Sequence, residues 1–179
     1  MPADKHMKKS NVSIGLMNPK SPENVASVMR AAANFRVDSV FYTGKRYSRA
    51  VRLNPGAPDI SRKLSQNIPL SEVSDLIDET AEKLKIVCVE FAENAIALPA
   101  YQHPHNAIYI FGPEDGSINQ QVIDRADAVV YVPTTGCMNL AATVNVVLYD
   151  RLSKSPQYVE SNALIRQSRD INNNLKVSQ

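Results

Sequence analysis

The run 128–152, A-V-V-Y-V-P-T-T-G-C-M-N-L-A-A-T-V-N-V-V-L-Y-D-R-L, decides how the chain folds. Ala128 to Val132 is a short apolar run closed by a Pro-Thr-Thr-Gly loop, the pattern of a strand covered on both faces. From about Asn139 to Leu152 the apolar residues recur at helical spacing, and Asn139 stands where a helix N-cap belongs. A strand, a polar loop and a helix in this order form part of a βαβ unit.

The same alternation extends toward the N-terminus. Val12 to Leu16 reads as a strand, Asn18-Pro19-Lys20 as a loop, and Ser21 as the N-cap of a helix with Pro22 at its first position. Val25, Val28, Met29, Ala32 and Phe35 then give that helix one apolar face. Ser39 to Thr43 is strand-like and ends at Gly44. Residues 44–63 read as an ordered, irregular basic loop with Asn54-Pro55-Gly56 and Pro58. A helix is expected over Ser71 to Leu84, strands over Ile86 to Glu90 and Ala107 to Phe111, and a short helix near Ile118 to Arg125. Apolar strands separated by helices predict an α/β fold with a mostly parallel sheet and helices on both faces.

One domain over 12–152 is expected, between a flexible basic tail (1–11) and a polar C-terminal extension (153–179) in which Val159 to Asp170 is a candidate helix. No repeat or linker divides it. The 179 residues, 44% hydrophobic and 21% charged, suit one globular domain with a substantial core. No apolar run reaches the ~18 residues of a membrane span, and the opening residues lack the apolar stretch of a secretory signal. Cys88 and Cys137 form neither a disulfide framework nor a C-x-x-C pair, which points to a reduced, cytoplasmic setting. Residues 1–63 carry 12 Lys and Arg against 4 Asp and Glu, whereas residues 64–179 carry 8 against 14. Such asymmetry points to a surface that meets a polyanion, nucleic acid first.

Ligands of an open parallel sheet bind beyond the carboxyl ends of its strands. Three segments fall there: the start of the first helix, the turn Gly112 to Gly116, and Pro133 to Asn139. No G-x-G-x-x-G fingerprint, phosphate loop or G-x-S-x-G elbow is present, which disfavours nicotinamide, P-loop and serine-hydrolase chemistry. Each segment alone has a plain structural reading: a turn, a loop, a cap. His103-Pro104-His105 has no partner at metal-ligand spacing and reads as a surface loop. Cys88 reads as a buried core thiol.

Taken together and in order, N-V-A-S-V-M-R-A-A (24–32), I-F-G-P-E-D-G (110–116) and V-P-T-T-G-C-M-N-L-A-A-T-V-N-V-V-L-Y-D (132–150) resemble the SpoU (TrmH-like) family of RNA ribose 2'-O-methyltransferases, within the SPOUT superfamily. The resemblance covers roughly residues 12–152. It implies a SPOUT-type fold with a C-terminal trefoil knot, S-adenosylmethionine as cofactor, a homodimer, no metal, and methylation of a ribose 2'-hydroxyl of tRNA or rRNA, with tRNA favoured by the minimal architecture. It places Asn24, Arg30, Glu114 and Asn139 as the catalytic set. Val89, Glu90, Gly112, Val132, Cys137 and Leu140 fall at cofactor-contact positions. Ala26, Cys137 and Ala141 stand where the family favours Gly, Ser and Ser. Contact with RNA is expected from Lys45, Arg46, Arg49 and Arg52. A guanidinium rarely gives up its proton, so Arg30 is read as holding phosphate and stabilising a developing alkoxide. The alternative is a non-catalytic RNA-binding or assembly factor on the same fold; methylation of a base is a third reading.

Overall fold

The computed structural model describes residues 10–54, 67–78, 84–156, 158 and 161–177. Within them the chain runs β1 (Val12–Leu16), α1 (Pro22–Asn34), β2 (Ser39–Tyr42), α2 (Arg46–Leu53), β3 (Leu70–Glu72), β4 (Lys85–Val89), β5 (Ile96–Ala97), a 3-10 turn (Leu98–Ala100), β6 (Ala107–Phe111), α3 (Gln120–Asp124), β7 (Ala128–Tyr131), α4 (Leu140–Ser153) and α5 (Asn162–Ser168). The strands form one sheet in the order β3-β2-β1-β6-β4-β7-β5. Every pairing is parallel, with Leu16 opposite both Tyr42 and Phe111, and Val89 opposite both Phe111 and Val130.

A strand's side chains alternate between faces, and here the two sets enter two different cores. Val12, Ile14, Leu16, Val87, Val89, Tyr109 and Phe111 pack with the buried faces of α1 and α4. Ile86, Cys88, Ile108 and Ile110 pack with Leu76, Ile77 and Ile118 on the other side. Ser21 caps α1 by accepting from Asn24 N–H, with Pro22 in the first turn. The α4 sequence contains Thr143, Val144, Val146 and Val147, each costing a few tenths of a kcal/mol of helix propensity. Burying Leu140, Val144, Val147 and Leu148 returns roughly 1.5–3 kcal/mol apiece, so packing decides the helix.

Two expectations are corrected. Residues 71–78 are not helical: Leu70–Glu72 is an edge strand, Val40 standing opposite Leu70 and Tyr42 opposite Glu72. Asp75 then closes a turn by accepting from Ile77 and Asp78 N–H; sheet pairing overrode the helical pattern, while residues 79–83 lie outside the described residues. The basic stretch 44–63 is not all loop, because α2 occupies Arg46–Leu53. Tyr47 anchors it, buried edge-on against Tyr42 at 5.0 Å between ring centroids. Residues 55–63 and the tail 1–9 lie outside the described residues. The candidate C-terminal helix is present as Asn162–Ser168.

Candidate active site

The carboxyl ends of β4, β6 and β7 open onto a cleft of about 150 Å³. Val89, Glu90, Gly112, Val132, Cys137 and Leu140 all line it, and so does Glu114. Glu90 is committed to internal bonds, its carboxylate accepting from Ile118 N–H at 2.9 Å and from Phe91 N–H at 3.0 Å. It thereby ties the end of β4 to the segment after the Gly112–Gly116 turn. A Cβ on Gly112 would sit 3.2 Å from Ile118 N and 3.3 Å from Glu90 Oε2. Neither neighbour moves without losing that hydrogen bond. Gly112→Ala is expected to cost about 1–3 kcal/mol of stability by overpacking, measured by denaturant unfolding; a loss below about 0.5 kcal/mol would show that the turn shifts freely.

One hydrogen-bond chain joins the three motif segments. Glu114 accepts from Lys20 N–H (2.8 Å), Ser21 N–H (3.0 Å) and Asn24 Nδ2 (3.2 Å), so the second segment grips the start of α1. Asn24 Oδ1 accepts from Asn139 Nδ2 at 2.9 Å. Asn139 Oδ1 in turn accepts from Ala141 and Ala142 N–H and caps α4. Each amide is used as donor at one end and acceptor at the other, which leaves a single consistent orientation. Burial alone would raise the Glu114 carboxyl, but the N–H groups of Ser21, of Glu114 itself and of Lys20, with the Asn24 amide, outweigh it and hold the group below the ordinary carboxylate range. Glu114 is therefore an ionised acceptor at neutral pH and not a proton donor.

Arg30 stands apart. It is exposed on α1, makes no hydrogen bond or ion pair among the described residues, and does not line its own chain's cleft. Two of the basic candidates are engaged: Lys45 with Glu72, and Arg46 with Asp115 through two bonds of 2.8 and 2.7 Å. Arg49 and Arg52 are exposed and unpaired among the described residues.

His103 is not the surface residue expected. Its side chain is 4% exposed and bonds Tyr109 and Asp150, because Tyr109 is fully buried and its hydroxyl needs a partner. No group of three or more His, Cys, Asp or Glu residues that could hold a metal occurs among the described residues. Cys88 is buried, which pushes its thiol up to about 12, whereas Cys137 is exposed in the cleft wall. Sequence reading missed Phe91 and Tyr131, which also line the cleft, their rings 6.0 Å apart. An aromatic at the end of each of two apolar strand runs was the signal that could have found them.

Residues 11–149 match the model of the SpoU rRNA Methylase family. The tRNA (cytidine-2'-O-)-methyltransferase TrmJ of Methanocaldococcus jannaschii is 24% identical, over 80% of this chain and 68% of its own. Among solved structures, the A. aeolicus TrmH/SpoU tRNA modifying enzyme superposes with a TM-score of 0.64 at 12% identity, over 81% of this chain and 75% of the other. A structure concerned with 2-OH methylation on tRNA gives 0.67 at 18%, over 83% and 93%. The SpoU methyltransferase AviRb of Streptomyces viridochromogenes, in complex with AdoMet, gives 0.60 at 18%, over 84% of this chain and 62% of its own. At these identities the superpositions establish a shared fold.

Proposed function

The chain belongs to the SpoU rRNA methylase family, S-adenosylmethionine-dependent RNA methyltransferases, and on that premise we propose that it methylates a ribose 2'-hydroxyl of RNA, tRNA in particular. The observation that carries this reading is the Glu114–Asn24–Asn139 chain beside the cleft. It holds three segments from distant parts of the sequence in one geometry. The choice of tRNA over rRNA leans on the tRNA-acting relative and the tRNA-related structure.

The cleft suits S-adenosylmethionine. Val89, Phe111, Val132 and Leu140 give it apolar walls, and Gly112 lets the turn pack closely against Glu90 and Ile118 at its edge. Bound there, the cofactor supplies an electrophilic methyl group on a sulfonium. The chain's own residues then position the reactants: the Glu114–Asn24–Asn139 chain sets the turn, α1 and α4 relative to one another. Arg30 would neutralise the charge that grows on the ribose oxygen as its proton passes to solvent water. A homodimer belongs to this proposal, supported by Arg30 lying outside its own cleft, so that a second copy would bring it to a reaction centre.

The proposal takes residues 12–152 as the catalytic domain. It includes a trefoil knot in the C-terminal part, a reading supported by β7 lying between β4 and β5 although it follows both in the chain. RNA contact falls to Arg49 and Arg52. Among the described residues no helix is long and apolar enough to cross a membrane; a cytoplasmic location rests on the two free cysteines.

The test is transfer of label from methyl-labelled S-adenosylmethionine to total cellular RNA, followed by alkaline digestion. Label in alkali-resistant dinucleotides is expected, because a methylated 2'-oxygen cannot attack its neighbouring phosphate. Label in mononucleotides alone would mean base methylation. RNA binding with neither incorporation nor cofactor binding would mean a non-catalytic binding protein.

A further inference from the structure

We propose that Arg46 is a positioning residue of the cofactor cleft, acting through Asp115, and is not a contact to RNA. The inference rests on the cleft being the S-adenosylmethionine site. The turn Gly112–Gly116 has little to hold it from within. Its internal backbone bond, Gly116 N–H to Pro113 C=O, is 3.4 Å long, and two of its five residues are glycines with no side chain to pack. Its geometry must come from outside.

Two consecutive carboxylates supply that support in different directions. Glu114 is gripped by Lys20, Ser21 and Asn24 at the start of α1. Asp115 is forked by Arg46, the first residue of α2, in two bonds of 2.8 and 2.7 Å, with Lys20 Nζ at 3.7 Å. Glu114 and Gly116 on either side line the cleft, whereas Asp115 does not. Its carboxylate thus serves the turn from behind. Arg46 is a firm partner because α2 is anchored independently, by buried Tyr47 against Tyr42 and by Lys45 with Glu72. The Arg46 guanidinium holds the Asp115 carboxyl below the ordinary carboxylate range. The fork occupies the outer edge of the Arg46 guanidinium and offsets its charge with that of Asp115, which weakens it as a phosphate contact relative to an unpaired arginine. Arg49 and Arg52, on the same helix and unpaired among the described residues, remain available for one.

The experiment uses the full chain with Arg46→Ala, Asp115→Asn and the exchange Arg46→Asp with Asp115→Arg. Dissociation constants for S-adenosylhomocysteine are measured without RNA, and KM for S-adenosylmethionine and for RNA separately. Each single variant is expected to weaken both cofactor measures about two- to fivefold, the upper range of a partly exposed pair, with the KM for RNA within about 1.5-fold of wild type. The exchange should recover at least half of the loss, which a merely unfolded variant would not. A raised KM for RNA with unchanged S-adenosylhomocysteine binding in Arg46→Ala would overturn the inference, as would an exchange that recovers nothing. If wild-type protein binds neither S-adenosylhomocysteine nor S-adenosylmethionine, the reading of the cleft itself fails and the inference falls with it.

Discussion

Arg30→Ala is expected to lower turnover by two to three orders of magnitude while RNA affinity drops only a few-fold. The magnitude is that of removing one charge from a developing oxyanion, roughly 10²–10³ in rate, and it applies once a second copy brings Arg30 to the cleft. Arg30 suits that role because a guanidinium stays charged throughout and presents several donors. It makes no bond to any described residue, so its loss strands no buried partner. Stability should therefore stay within about 0.5 kcal/mol of wild type, and activity and folding separate cleanly. Asn24→Ala and Asn139→Ala would not separate them, since each removes a link between α1 and α4 as well as any chemical role. The site assignment fails if Arg30→Ala retains wild-type turnover. Mixing Arg30→Ala chains with Gly112→Ala chains extends the test: recovered activity is expected if Arg30 of one copy serves the cleft of another.

The second large effect is on stability. Asp150→Ala should cost about 1–3 kcal/mol, the range for leaving partly buried polar partners unsatisfied. Asp150 Oδ2 accepts from His103 Nε2 at 2.9 Å and from Lys154 Nζ at 2.7 Å. Lys154 also donates to the carbonyls of Leu98 and Tyr101. Tyr109 Oη lies 2.7 Å from His103 Nδ1 and accepts from Arg151 Nη1 at 3.0 Å, and Arg151 also donates to the carbonyls of Pro104 and His105. The cluster fastens the last turns of α4 to residues 98–105. Every donor finds an acceptor if His103 is neutral, with its proton on Nε2 facing Asp150 and Nδ1 accepting from Tyr109. A second proton on Nδ1 would compete with the Tyr109 hydroxyl hydrogen. Unfolding by denaturant measures the loss, and a cost under about 1 kcal/mol would show that the cluster adds little.

The same cluster predicts a pH dependence. Burial lowers the His103 pKa below its ordinary 6.5, outweighing the Asp150 carboxylate, which raises it. The folded state thus disfavours the proton that the unfolded chain accepts. The stability tied to neutral His103 is fully present above about 6.5 and declines as the pH falls from there through the lower folded value. Unfolding free energies between pH 7 and 5 should decrease in wild type more than in His103→Gln; parallel profiles would remove His103 as the cause.

The sequence alone determined the elements whose signals are local. Ser21 and Pro22 start α1 by cap and ring geometry, and nearly continuous apolar runs mark β4, β6 and β7 because parallel strands are covered on both faces. The cleft residues were named from the sequence only through its resemblance to the SpoU family, whose motif positions they occupy. Tertiary structure alone decided the rest. Leu70–Glu72 became a strand only because β2 offers it an edge. His103 went inside only because Tyr109 and Asp150 meet there. Asn139 read as a cap, a role visible in sequence, yet its bond to Asn24 spans 115 positions and that of Arg46 to Asp115 spans 69. Periodicity and capping act over one or two turns of chain, whereas such partners are chosen by the order in which the strands lie side by side.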